Sequence, residues 1–93
     1  AWALCEALGA LGAQVVAHDP VASGEGVFGG PPQDVVPGAD AIVVGTAWPV
    51  YGEVAPEALA PARRLVVDPS GLLNAARWTA AGFTVWPGPP RSP

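Results

Sequence analysis

Few residues in this sequence are of the types that make or break bonds. It holds one cysteine, Cys5, and one histidine, His18. A cysteine attacks as thiolate, which requires a partner base or a cationic setting. Cys5 sits instead in a helical pattern among Trp2, Leu4 and Leu8, and the expectation is a buried structural thiol. His18 has no second His, no Cys and no carboxylate pattern that would complete a metal site, and it reads as the polar end of a strand. Glu53 and Glu57 stand four residues apart and could share a helix face, where they read as solvated charges. No Ser-His-Asp order, carboxylate pair or metal-ligand spacing stands out. No catalytic, cofactor-binding or metal-ligating residue is therefore assigned.

The signals for binding are of a different kind. A literal G-x-G-x-x-G occurs at Gly24-Glu25-Gly26-Val27-Phe28-Gly29. In a dinucleotide site such glycines follow a strand tightly and open a helix, whose N-terminus holds the pyrophosphate. Here Gly30-Pro31-Pro32 follows, so no helix is expected to start. His18-Asp19 closes an apolar run, and an acid at such a strand end can grip a ribose hydroxyl. Asp19-Pro20 is also a turn signal, and that reading needs no glycine loop. Two further loops follow strand-like runs. Thr46-Ala47-Trp48-Pro49 comes after Ala41 to Gly45, and Asp68-Pro69-Ser70-Gly71 comes after Leu65 to Val67. An indole at Trp48 can stack on a base or cap the core, and composition alone favours the cap. Thr46, Trp48, Asp68 and Ser70 form the best candidate binding edge.

Those loops need elements to position them. Leu4, Leu8 and Leu11 recur at spacings of four and three, which predicts a helix over residues 1–11 that Gly12 stops. Strands are predicted at 14–18, 41–46, 64–68 and 83–86. Their apolar runs are near-continuous, as in parallel strands buried on both faces. Asn74 is placed to cap a helix over 75–81 that Gly82 ends. The stretch 20–38 is rich in Gly and Pro. It is expected to hold at most a helical turn around Gln33–Val36 and a stub of edge strand at Val27-Phe28.

The sum is an α/β fold: a Rossmann-like open parallel sheet flanked by helices. A helix that feeds a strand directly is the second half of a strand–helix–strand unit. The first strand, usually central in a doubly wound sheet, is expected to be missing from the chain. Residues 1–86 read as one partial domain and 87–93 as a Pro-rich tail.

Composition narrows the class further. The chain has 93 residues, of which 51 % are hydrophobic and 13 % charged, so it can bury enough apolar surface to fold. Its net charge of -4, with no Lys, argues against gripping a nucleic-acid backbone. No apolar run approaches the ~20 residues of a membrane span, and no signal peptide is visible. The lone cysteine asks for no oxidising compartment, so a cytoplasmic location is expected. The chain contains no Met, and it is read as a piece of a longer protein.

Three stretches resemble the C-terminal domain of the UDP-glucose/GDP-mannose dehydrogenases. Gly12-Ala13-Gln14-Val15-Val16-Ala17-His18-Asp19-Pro20 is similar to that family's "GA-x-V-x-x-Y-D-P". The run from Gly38 through Thr46-Ala47-Trp48-Pro49 looks like its "GADA" strand and "T-E-W-P" loop. Leu65 through Phe83 follows its "VVFDGRNLLDPEALRAAGF" pattern without a gap, with Asn74 in the slot of the helix-capping Asp. The resemblance covers nearly all of residues 1–86.

The resemblance implies a nucleotide-sugar-binding domain, with Thr46, Trp48, Asp68 and Ser70 at the substrate. It implies a parent enzyme that oxidises the sugar C6 alcohol to a carboxylate in two NAD-dependent steps. In that parent NAD lies on a separate N-terminal domain, and a Cys-bearing middle region makes a homodimer. This chain alone is then not catalytic, and Cys5 does not lie in the family's catalytic motif. The chain departs from the pattern at Ser70, where the family has Arg, at Ala47, where it has Glu, and at Pro61, inside the helix expected before Arg63. Two other readings stay open: a Rossmann fragment whose Asp19 meets NAD, and a degenerate interaction domain without catalysis.

Overall fold

The computed structural model describes residues 2–20 and 27–87. The chain divides into two compact units, Ala1–Val35 and Val36–Pro93.

The first unit holds helix α1 (Trp2–Ala10) and two short parallel strands, β1 (Ala17–His18) and β2 (Val27–Phe28). Pro32–Val35 makes a 3-10 turn. The edge strand at Val27-Phe28 and the turn near Gln33 are thus both present. The Gly29-Gly30-Pro31 stretch after β2 opens no α-helix, as the prolines require. Gly24, Glu25 and Gly26 of the glycine pattern lie outside the described residues. So does the tail beyond Pro87.

The second unit is a three-stranded parallel sheet in the order β3-β4-β5, made of Ile42–Val43, Leu65–Val67 and Thr84–Trp86. Register pairs Ile42 with Val66 and Val66 with Val85 in one row across the sheet. That row faces the core. Val66 is fully buried, and Val36, Val44, Leu59, Leu73, Trp78 and Phe83 pack around it. Burying each such aliphatic side chain is worth roughly 1.5–3 kcal/mol.

Helix α2 (Ala75–Ala80) contributes Trp78 to this core. Asn74 caps it as its side-chain position predicts: Oδ1 accepts the Arg77 backbone N–H at 3.1 Å. The helix ends in a Schellman motif. The Gly82 N–H donates to the Thr79 carbonyl at 2.9 Å and the Phe83 N–H to the Trp78 carbonyl at 3.1 Å. Gly82 adopts φ +93, which a β-carbon would strain. The motif brings the rings of Phe83 and Trp78 edge to face, 4.9 Å apart. Helix α1 stops in the same way, with Gly12 donating to Gly9 and Ala13 to Leu8, both at 3.0 Å.

Two expectations are corrected. No α-helix joins β3 to β4. The segment makes two 3-10 turns instead, Pro49–Glu53 and Pro56–Ala58. Pro49 and Pro56 open these turns because a helix start wastes no proline N–H, while Pro56 and Pro61 deny an α-helix its interior bonds. The sheet is also not buried on both faces. The second row, Val43–Val67–Trp86, leaves Val43 39 % and Trp86 57 % exposed.

Candidate functional site

The three strands of the second unit run parallel, so their carboxyl ends lie on one rim. The ladder continues one residue past β3 and β4 at that rim. The Val44 N–H donates to the Val67 carbonyl at 2.8 Å, and the Asp68 N–H to the Trp86 carbonyl at 2.7 Å. The two candidate loops leave from these points. The four candidate residues therefore stand on adjacent loops of one rim, which is where open α/β sheets receive ligands.

The first loop turns at once. The Trp48 N–H donates to the Thr46 carbonyl at 2.8 Å, a three-residue turn centred on Ala47. Pro49 then opens the 3-10 turn, and the Tyr51 N–H closes onto the Trp48 carbonyl at 3.0 Å. Thr46 is exposed and Trp48 half-buried. Among the described residues, Tyr51 and not Trp48 is the aromatic of this loop that packs against the core. The capping role expected for Trp48 passes to Tyr51, and the Trp48 indole is left part-open at the rim.

The second loop is built on Asp68, which is only 3 % exposed. One carboxylate oxygen, Oδ2, accepts the Leu73 backbone N–H at 2.8 Å. The other, Oδ1, accepts the Ser70 hydroxyl at 3.2 Å. The Asp68 carbonyl accepts the Gly71 N–H at 3.2 Å, closing the turn. A buried carboxylate must be hydrogen-bonded, and here the partners come from its own loop. Asp68 thus positions Ser70, the exposed hydroxyl of the loop, and seats Leu73 in the core.

Neither loop carries a cation. Arg63 and Arg64 precede β4 directly, at the amino end of the sheet. Arg64 is tied there to the carbonyls of Ala81, at 3.3 Å, and Leu59, at 3.4 Å. Arg77 pairs with Glu57 at 3.2 Å on the surface of α2. A hydrogen bond from its own backbone N–H, then the Arg77 guanidinium, hold the Glu57 carboxyl below the usual range. Glu57 is thus exposed, as expected, but ion-paired.

One rim residue escaped the sequence reading as a site. Trp86 ends β5 beside Asp68 and is more than half exposed. Its signal was an aromatic at a strand end directly before a proline. In the first unit, His18 donates from Nε2 to the Gly30 carbonyl at 2.7 Å, so its ring braces the glycine-rich turn. Asp19 lies beside it at the end of β1. Cys5 is half-buried and not fully buried as expected. Among the described residues no group of three or more His, Cys, Asp or Glu could hold a metal ion. Among them, too, no helix is long and apolar enough to cross a membrane.

No protein-family model matches this chain, no curated protein matches it, and no solved structure matches it.

Proposed function

We propose that this chain is a nucleotide-sugar-binding domain of the kind found in NAD-dependent UDP-glucose/GDP-mannose 6-dehydrogenases. The observation that supports the reading is the pair of loops that leave neighbouring parallel strands at one rim. They carry the Thr46 and Ser70 hydroxyls and the part-open Trp48 indole on adjacent loops. Hydroxyls bond sugar and ribose oxygens, and an indole face stacks on a base or a sugar ring. Asp68 serves by holding Ser70. The ligand lies along the rim, and the oxidation of its C6 alcohol belongs to the rest of a longer, homodimeric parent.

On this reading NAD lies on the rest of the parent: among the described residues, Gly29-Gly30-Pro31 after β2 opens no α-helix whose N-terminus would take a pyrophosphate.

A second reading has its own support. The loops lack a cation, and Ser70 replaces a residue that would grip phosphate in two places. An interaction domain without enzymatic partners would tolerate that loss.

The test is an amide-resolved NMR titration with UDP, UDP-glucose and GDP-mannose. Shifts confined to Thr46–Trp48 and Ser70–Gly71 support the first reading. No shift at millimolar ligand overturns it in favour of the second. Shifts confined to Asp19 and Gly29–Gly30 point instead to a dinucleotide at the first unit.

A further inference from the structure

A hydroxyl has one proton to give and two lone pairs with which to accept. Ser70 has already committed its proton. Its Oγ donates to Asp68 Oδ1 at 3.2 Å, and a carboxylate oxygen can only accept. The other oxygen, Oδ2, is fixed by the Leu73 N–H at 2.8 Å, and Asp68 is buried. The carboxylate cannot swing away from Ser70 without breaking a buried bond. What the exposed Ser70 oxygen offers outward is therefore its lone pairs. Its match is a donor: a sugar or ribose hydroxyl, or a base N–H. A diphosphate near neutral pH presents almost only acceptors and meets Ser70 lone pair against lone pair.

The rest of the loop has the same polarity. The Gly71 N–H is turned onto the Asp68 carbonyl at 3.2 Å, as the Leu73 N–H is onto the carboxylate, and neither is left to cradle an anion. The Arg77 N–H goes to Asn74. Among the described residues, Arg63 and Arg64 precede β4 at the opposite end of its strand, and the Arg77 guanidinium is paired with Glu57. The charge beneath Ser70 is that of a carboxylate.

We infer that Ser70 is a specificity-determining residue. Held by Asp68 as an acceptor, it selects the neutral, hydroxyl-bearing parts of the ligand and turns the phosphates away. The inference rests on the nucleotide-sugar reading of the rim and names the part of that ligand the second loop meets. Asp68 sets the polarity, and Asp68→Asn reverses it. The amide oxygen stays with the Leu73 N–H, so the NH2 group faces Ser70. The hydroxyl then accepts from the amide, and its own proton is released toward the ligand.

The experiment is calorimetric titration of the full chain with uridine, UDP and UDP-glucose. It is run in about 1 M salt, where a Debye length of about 3 Å screens the net charge of -4. UDP is expected to gain less than about threefold over uridine. Ser70→Ala, at an exposed site, weakens UDP-glucose about three- to tenfold, the worth of one hydrogen bond. Asp68→Asn, its fold checked by circular dichroism, shifts the preference toward UDP by about three- to tenfold. Adding Ser70→Ala to it abolishes that shift. UDP binding more than about threefold tighter than uridine overturns the inference and leaves the reading of the rim standing. So does Ser70→Ala without effect on UDP-glucose, or an Asp68→Asn shift that is absent or survives Ser70→Ala. If Asp68→Asn does not fold, the first two measurements decide. No binding of any of the three ligands overturns the reading of the rim, and the inference with it.

Discussion

The guanidinium carbon of Arg64 stands 5.2 Å from the centre of the Phe83 ring. The same side chain reaches the carbonyls of Ala81 and Leu59, and so joins the end of α2 to the end of the second 3-10 turn. One exposed arginine thereby tethers the last turn of the helix, the entry to β5 and the segment that replaces a crossover helix.

Replacing Arg64 tests that tether. Arg64→Ala loses a cation–π contact of ~0.5–1 kcal/mol at an exposed site, together with two carbonyl partners. The melting temperature is expected to fall by about 4–8 °C per kcal/mol lost in a domain of this size. Arg64→Lys keeps the charge but not the planar fork and recovers less than half of the loss. Thermal denaturation followed by circular dichroism reads both. An unchanged melting point for Arg64→Ala would remove the tether from the account.

Asp68→Ala is expected to cost more. It strips the buried Leu73 N–H of a charged acceptor, a loss of ~1.5–3 kcal/mol, and frees Ser70. Asp68→Asn keeps one oxygen for Leu73 and should recover part of the stability. Urea unfolding midpoints give the order wild type, Asn, Ala. If Ala and Asn are equally unstable, the Leu73 bond is not what the carboxylate supplies.

The Glu57–Arg77 pair makes stability depend on pH in one direction. The folded carboxyl titrates below its unfolded value, because its own backbone N–H and Arg77 favour the charged form. Its contribution is therefore full above the unfolded carboxylate range and is lost as pH falls through the folded value. Glu57→Gln should remove this contribution at neutral pH, by a small amount since both partners are exposed, and flatten this part of the acid limb so that the two proteins converge at low pH. Unfolding curves collected from neutral pH into the acid range check it.

Ser70→Arg places a cation at the rim. On the nucleotide-sugar reading it should tighten UDP binding by about tenfold or more, the worth of one or two charge-assisted bonds to phosphate. It should tighten uridine itself little. Calorimetric titration with the two ligands separates a gain at phosphate from a general change in the loop.

Much of the framework was legible because it is written in local chemistry. Asn74 and Gly82 bracket α2 by capping and by left-handed geometry, which no tertiary contact has to supply. The apolar runs at Ile42, Leu65 and Thr84 announced strands, and their near-continuous apolar character pointed to the parallel pairing that is found. What stayed hidden depends on distance in space. Continuous apolar runs suggest burial on both faces, yet the exposure of Val43 and Trp86 is set by which element covers them. The 3-10 turns at Pro49 and Pro56 were masked by a pattern that elsewhere fills the gap with a helix. Asp68 was legible as a rim residue but not as the anchor of its loop, because Leu73 is five residues away and only the folded loop brings its N–H to the carboxylate.

The twin glycine stops of α1 and α2 also divide folding into fast and slow parts. Each reversal from helix toward strand is closed by bonds spanning three to five residues, at Gly12-Ala13 and at Gly82-Phe83. Closures of that length take on the order of 10–100 ns or less. The sheet, by contrast, must bring Ile42 to Val66 and Val66 to Val85, partners about 20 residues apart, with no helix along the β3–β4 crossover to shorten the search. Helix ends should therefore be set long before the sheet zips. The pace of folding of the second unit then lies with the proline-punctuated run between Val44 and Leu65, where any added slack lengthens the loop that has to close.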